Sequence, residues 1–469
     1  MNIALISSEK LPVPPIAGGA VQLYIDGILP YISKHHNITV FSIDYPGLPQ
    51  EEEKDGVRYI RVPAKDEMGY VNNLKNKLTK NFDLVHVFNR PAWVLELSSV
   101  LPGTRFSLSL HNEMFATEKL PPAKAVECIS KLEFINTVSR FIADRVKNLY
   151  PEAESKLNVV YSGADTDKYK PNWTKEGAAN KKRLKEKYKI QNYRVVLFVG
   201  RLSVKKGVHV LLKAMKRVMD VHRNVALVII GSKWYGGNMS DDYTKSVENL
   251  SKSLTGPIVF TGFLPPSEVI SHYNLGDIFV CASQWNEPLA RVHYEAMAAG
   301  LPIITTNRGG NAEVVSGKGN GLVVDDYSNP DALADSIDYF LNRPSKIQEM
   351  GRTGRMLAER MYSWERVATE VLQAFARVEE KLKVPAKGVE EIPRQKIQQK
   401  LENGARVKPL PNKEAAPQIK TLRKTETASQ AKSRQKTEAG RKTAARQIDY
   451  SALSETYRNY LEKWRNRNY

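Results

Sequence analysis

Cysteine is nearly absent from this 469-residue chain: only Cys128 and Cys281 occur, each inside an apolar segment. A disulfide framework is thereby excluded, and a reducing compartment fits. Long apolar runs are missing as well. No stretch approaches the ~18 consecutive apolar residues of a membrane-crossing helix. The opening MNIALISSEK has neither a basic leader nor a long apolar centre, so it is expected to be a first strand, not a secretion signal, in a cytoplasmic protein. Acidic residues are in short supply, with 51 Asp and Glu against 70 Lys and Arg, for a net charge of +19. The shortage is local. Residues 383–469 hold 21 Lys and Arg against 9 Asp and Glu, a surplus of +12, which leaves +7 on the first 382 residues. A basic tail invites a nucleic-acid reading, but this one carries no recognition motif, so nucleic acid is not the expected partner.

What is present is 42% apolar residues, enough in a chain of this length for two domains plus extras. Strands are expected at 2–7, 38–43, 57–62, 84–88, 106–110, 134–138 and 158–161, with helical segments between most of them. A charged helix over 175–189 leads into a second series, opened by RVVLFVGRLSVKKG (194–207) and continued at 225–230, 258–261, 278–282, 302–306 and 321–324. Strands alternating with helices predict α/β architecture with doubly wound parallel sheets. From Val384 to Arg446 large apolar residues become scarce, and disorder is expected. Leu453, Tyr457, Tyr460, Leu461 and Trp464 then mark one face of an amphipathic terminal helix over 447–469.

The densest signal is QWNEPLARVHYEAMAAGLPIITTNRGG, Gln284 to Gly310. Pro288 suits a first helical position and Gly300 with Pro302 a stop, which predicts a helix over 288–299. Leu289, Val292, Ala296 and Ala299 then form its apolar stripe, with Arg291 and Glu295 turned outward. Between two strands this makes a βαβ unit, and ligands of such sheets bind beyond the carboxyl ends of the strands, where free amides receive phosphates. Glu287 at that edge can accept from sugar hydroxyls, and Glu295 from a ribose diol; the plain alternative is a cap and an Arg291–Glu295 pair. Elsewhere, Gly18 and Gly19 let backbone amides approach a ligand. His111 follows the 106–110 strand directly. Arg201 and Lys206 put two cations in one loop after a parallel strand, suited to a diphosphate. Gly231 permits close approach of a base or ribose, and Gly309 with Gly310 supplies another amide cradle.

Glu287 and Glu295, with Pro288, Ala296-Met297-Ala298, Gly300 and Pro302, resemble the E-x7-E signature of family-four retaining GT-B glycosyltransferases. Gly200-Arg201-Leu202, Lys206 and Gly207 match that family's phosphate motif. The likeness covers about residues 1–380 and is nearest to spore coat protein SA-type members. It implies two Rossmann-like domains facing a cleft: an acceptor-side domain (1–165), a nucleotide-sugar domain (166–362) and a helix crossing back to the first (363–383). The activity implied is transfer of a hexosyl unit, with retention, from a nucleotide-diphosphate sugar, UDP first and GDP second, to a glycan or to a surface or spore-coat acceptor. Arg201 and Lys206 would neutralise the leaving diphosphate, His111 would contact the donor sugar, and Gly18-Gly19 would lie near its phosphate. No cofactor is implied, and with two cations and a helix N-terminus at Pro288 serving the diphosphate, no metal is required. Leu289 and Ala290 stand where the family has Phe-Gly, Ala290 keeping its amide for the sugar, and Ser162 stands in place of Asn. These departures also fit a structural coat or surface protein that keeps the fold without turnover. The basic tail is expected to tether the protein to an anionic surface or spore-coat assembly.

Overall fold

The computed structural model describes residues 1–232 and 242–383. The stretches expected to form a disordered segment (384–446) and a terminal helix (447–469) lie outside them. Two sheets organise the described residues. The first contains β1 (Asn2–Ile6), β2 (Asn37–Ile43), β3 (Glu51–Lys54), β4 (Val57–Val62), β5 (Leu84–Phe88), β6 (Arg105–Leu110), β7 (Leu132–Thr137) and β8 (Leu157–Val159). The second contains β9 (Arg194–Val199), β10 (Val225–Ile230), β11 (Ile258–Phe260), β12 (Ile278–Cys281), β13 (Ile303–Thr306) and β14 (Gly321–Val324). Their orders are β3-β4-β2-β1-β5-β6-β7-β8 and β11-β10-β9-β12-β13-β14. Pairing is parallel throughout, except between β3 and β4. Strands such as LVHVF (β5) and VALVII (β10) are buried along their whole length, because helices cover both faces of a parallel sheet. The fold is GT-B: two Rossmann-like α/β layers.

Strand order reverses between β1 and β5 in the first sheet and between β9 and β12 in the second. At a reversal the neighbouring connections leave on opposite faces and open a crevice beyond the carboxyl ends. The Trp364–Lys383 helix packs against the Ala20–Ile32 helix of the first sheet. It buries Val367, Val371, Phe375 and Val378 in the same core as Leu5 and Ile25. Gly27 makes room for it, since a Cβ there would stand 2.3 Å from the Trp364 ring.

Two features differ from the sequence reading. The charged strand β3 (EEEK) was assigned no structure, yet it pairs with β4 through a tight turn in which Asp55 and Gly56 have φ of 53° and 73°. Both positive angles suit the hairpin turn that an Asp-Gly pair favours. Arg61 of β4, fully buried, fixes the hairpin by a hydrogen-bonded ion pair with Glu52 at 2.5 Å. Second, the helix expected over 288–299 spans only Val292–Ala298. The Glu287 carbonyl, which would bond the next helical turn, instead accepts from the Gly310 N–H at 2.8 Å. Pro288 is therefore not a first helical residue, and no helix terminus lies there to serve a diphosphate. Val292, expected on the buried stripe, is only half-buried, while His293 and Tyr294 are fully buried.

Candidate active site

Both crevices open into one cleft of about 1540 Å³. Every candidate residue named from the sequence lines it except Gly309 and Gly310. At the second reversal, Arg201 follows β9 across Gly200, and Lys206 ends a short turn, Val204–Lys206. Glu287 descends from β12 and meets Lys206 at 2.7 Å. Glu287 is only 7% exposed, and its Oε2 also accepts from Trp285 Nε1 at 2.8 Å and Ser283 Oγ at 3.1 Å. Burial alone would push this carboxyl up; the Lys206 charge and the three hydrogen bonds outweigh it and hold the pKa below the usual carboxylate value. The site therefore contains a buried, ionised carboxylate beside a cation. Glu295, one turn into the Val292–Ala298 helix, accepts from Tyr273 Oη at 2.8 Å, and Arg291 lies 3.7 Å from it.

Across the cleft, His111 sits at the end of β6. Its backbone N–H donates to Asn89 Oδ1 at 3.0 Å, and Asn89 itself adopts φ of 59°. The imidazole meets the Tyr24 ring edge-on at 4.9 Å, and its Nε2 is buried with no hydrogen-bond partner. Burial, and then the nearby Arg291 charge, push His111 down to about 3. It is a neutral ring near pH 7, offering a polar atom and not a charge. Gly19 has φ of 101°, and a Cβ on it would come 2.3 Å from Gln22 Oε1. Gln22 in turn donates to Ser7 Oγ, Ser8 Oγ and the Leu11 carbonyl, at 3.3, 3.1 and 3.2 Å, which fixes the glycine loop from beneath.

Several glycines do other work than sequence reasoning suggested. Gly231 has φ of 130°, and a Cβ would stand 2.2 Å from the Gly200 carbonyl, so the close approach it permits is between two strand ends. Gly309 and Gly310 form no ligand cradle. A Cβ on them would stand 2.0 Å from the Glu287 carbonyl and 2.2 Å from that of Pro288, and the Gly310 N–H is spent on Glu287. They clamp the main chain that carries Glu287. The Ala290 amide is likewise taken: it donates to Asn311 Oδ1 at 3.0 Å, while His293 Nδ1 bonds the Ala290 carbonyl at 2.8 Å. An amide contact from Ala290 to a donor sugar is thus withdrawn unless Asn311 yields it.

Residues 18–168 match the model described as Glycosyltransferase Family 4, and residues 180–356 match Glycosyl transferases group 1. Spore coat protein SA of Bacillus subtilis (strain 168) is 44% identical over 378 residues, spanning 80% of this chain and 100% of that protein. The chain belongs to this glycosyltransferase family. Two solved structures share its fold. Sucrose-phosphate synthase from Thermosynechococcus elongatus, 18% identical, has a TM-score of 0.68 and covers 81% of this chain and 99% of its own. Anabaena HepE in complex with UDP-glucose, 18% identical, has a TM-score of 0.64 and covers 80% and 100%.

Sequence reading of this glycosyltransferase passed over the residues that shape the known ones. Ser283 and Trp285 lie beside Glu287 in the strand-to-loop exit, and two hydrogen-bonding side chains so close to a carboxylate were a readable signal. Asn89 and Tyr273 act from distant segments and left no local sign, whereas Gln22 belongs to the same segment as Gly19. Arg291, read as an outward pair for Glu295, also donates to Ser162 Oγ at 2.9 Å and stacks over Trp364 at 5.2 Å. Ser162 therefore has a side-chain role of its own. The D-x-D triplet Asp165-Thr166-Asp167 lines the cleft, but Asp165 is engaged by the Asp167 N–H at 3.1 Å and by Lys168 at 3.0 Å. Among the described residues no cluster of metal-ligating side chains is found, and no helix is long and apolar enough to cross a membrane.

Proposed function

We propose that this glycosyltransferase moves a hexosyl unit, with retention, from a nucleotide-diphosphate sugar to a glycan or to a surface or spore-coat acceptor. The observation that carries the reading is the Lys206–Glu287 pair at the second strand reversal, lining one cleft with His111, whose buried Nε2 has no hydrogen-bond partner. Lys206 and Arg201 stabilise charge growing on the departing diphosphate, a preorganised electrostatic effect that needs no reorganisation during the reaction. Glu287, kept ionised, accepts from donor hydroxyls. Glu295 takes the ribose, and Gly19 brings its amide toward the phosphate, the Gly18 N–H being held by the Pro15 carbonyl at 2.9 Å. His111, being neutral, hydrogen-bonds the sugar without competing for the diphosphate. A UDP-sugar is the first donor to test, supported by the UDP-glucose complex of HepE, and a GDP-sugar the second. Two cations serve the diphosphate, so the reaction is proposed to run without a divalent metal. The basic tail is proposed to tether the protein to an anionic surface or coat assembly.

A thermal-shift and hydrolysis screen against UDP- and GDP-sugars tests the reading. A donor at 100 times its Kd should add ~2.7 kcal/mol of stability. Turnover should persist in EDTA. A chelator-abolished rate restored by Mg²⁺ or Mn²⁺ would overturn the metal-free part. Absence of both binding and hydrolysis for every donor would favour the second reading, a coat protein with a degenerate site, which the occupied Ala290 amide supports.

A further inference from the structure

We propose that Glu313 is a positioning residue that locks the first sheet onto the loop carrying Glu287, so that His111 and Glu287 face each other in register. Glu313 belongs to the short turn Asn311–Val314 of the second sheet's layer. Its Oε2 accepts from the Arg140 N–H and its Oε1 from the Phe141 N–H, both at 2.8 Å, and Tyr161 Oη donates to Oε2 at 2.8 Å. Arg140 and Phe141 open the Arg140–Leu149 helix, which follows β7 of the first sheet. The first N–H groups of a helix have no partner within it. Here Ser139 Oγ takes the Ile142 N–H, and a carboxylate from 173 residues away takes the Arg140 one. An anion at that terminus also meets its partial positive charge, and such charge-assisted bonds are stronger than neutral ones.

The other side of the same loop reaches the site. The Gly310 N–H holds the Glu287 carbonyl at 2.8 Å, and a Cβ on Gly310 would lie 2.8 Å from Ser139 Cβ. Residues 309–313 are thus wedged between the Glu287 main chain and the helix cap of the first sheet. That helix follows β7, and β7 pairs with β6, at whose end His111 sits. A continuous path of contacts, main-chain at Gly310 and through the side-chain carboxylate at Glu313, therefore runs from Glu287 to the strand pair that presents His111. The nearby bonds from Arg366 to the Tyr161 and Ser162 carbonyls act on the crossing segment instead.

The kinetic consequence rests on the functional reading above; the mechanical one does not. In the full-length protein, Glu313→Ala is expected to bind UDP within about twofold of wild type, since the nucleotide groups lie on the second sheet, while kcat falls by about 100-fold, the scale of an ångström of misplacement. Glu313→Gln, which keeps one acceptor oxygen, should recover part of that loss. Small-angle X-ray scattering without ligand should give a larger radius of gyration for Glu313→Ala than for wild type. A kcat unchanged in Glu313→Ala, or UDP affinity falling in step with kcat, would overturn the proposal. If wild type neither binds UDP nor consumes any donor, the functional reading fails. The scattering comparison then decides the lock alone, and identical profiles for wild type and Glu313→Ala overturn it.

Discussion

The two ligand edges are built on the same strand-reversal plan and furnished differently. The second sheet presents charge: Arg201, Lys206 and an ionised Glu287 with three donors on one oxygen. The first presents glycine backbone, an imidazole that burial keeps neutral, and an Arg90–Glu9 ion pair whose Arg90 lines the cleft. A buried charge is tolerated only when paired and hydrogen-bonded, so the second edge must be rigid before ligand arrives. The first edge holds a pair of its own, Arg90 on Glu9 at 2.7 Å, and the rest of its shape is set by Gln22, Asn89 and the glycine angles. On the proposed function, the second edge suits a charged group common to all donors, and the glycines and neutral imidazole of the first suit hydroxyls that differ among substrates.

Removing the cations should break this contrast most severely. For the Arg201→Ala, Lys206→Ala double variant, calorimetry should show loss of most UDP affinity. Lys206→Ala also strands Glu287, and breaking a buried pair costs about 3 kcal/mol at the lower end of the usual range, the lower end because the Lys206 side chain keeps 20% exposure. Adding Glu287→Gln should restore the stability but not the affinity. Wild-type UDP binding by the double variant would end the assignment of charge to this edge. The two glutamates sharpen the picture next. Glu287→Ala is expected to lower turnover by about 100-fold, as loss of a preorganised polar contact does. Glu295→Ala should instead weaken UDP binding by about 2 kcal/mol, the worth of hydrogen bonds to a charged group. Equal UDP affinity and full activity in both would refute the division between them.

Much of this was legible in the sequence, and the reasons differ by region. Buried parallel strands read as continuous apolar runs, so the sheets stood out; β3 did not, because EEEK owes its place to Arg61 and to the Asp55-Gly56 turn. That Glu287, Glu295, Lys206 and His111 line one cleft was expected from motif and from position at strand ends. The helix start was misplaced because Glu287 and Ala290 bond Gly310 and Asn311, a tertiary choice that local propensity does not register. Gly309 and Gly310 were misread for the same reason: a glycine pair signals close approach, but not whether ligand or main chain approaches. Glu313 carried no signal in the sequence, and only the fold brings it to the Arg140–Leu149 helix.

Acid sharpens the comparison by a smaller effect. His86 and His111 are pushed down to about 3 and His293 to about 4, in each case chiefly by burial. All three lie below the ordinary value of 6.5. The folded state stays neutral while the unfolded chain gains protons, so stability is complete above pH 6.5 and falls as pH drops from there toward 4. Two of the three belong to the first sheet, so that layer should loosen first. His111→Phe should reduce the slope of unfolding free energy against pH by about 1.4 kcal/mol per pH unit between 6 and 4, read from denaturant titrations. An unchanged slope would mean that His111 protonates in the folded protein.

The smallest effect on catalysis is expected from the largest excision. Both ligand edges, the crossing helix and Glu313 lie within residues 1–383, whereas residues 383–469 carry +12 of the net +19. Truncation after Lys383 should therefore leave kcat, KM and the Glu287 and Glu295 phenotypes unchanged. What should change is attachment. Exposed charges are screened beyond about 8 Å at physiological ionic strength, so retention of the full chain on isolated coat or anionic surface material should weaken with salt, and the truncated chain should show little at any salt. Tyr457, Tyr460 and Trp464 would add a salt-resistant remainder that Trp464→Ala lowers, because large aromatic side chains dominate desolvated contacts. Co-sedimentation across a salt series separates these contributions. Identical retention of full and truncated chains at every salt concentration would show that attachment, if any, belongs to the two sheets and not to the tail.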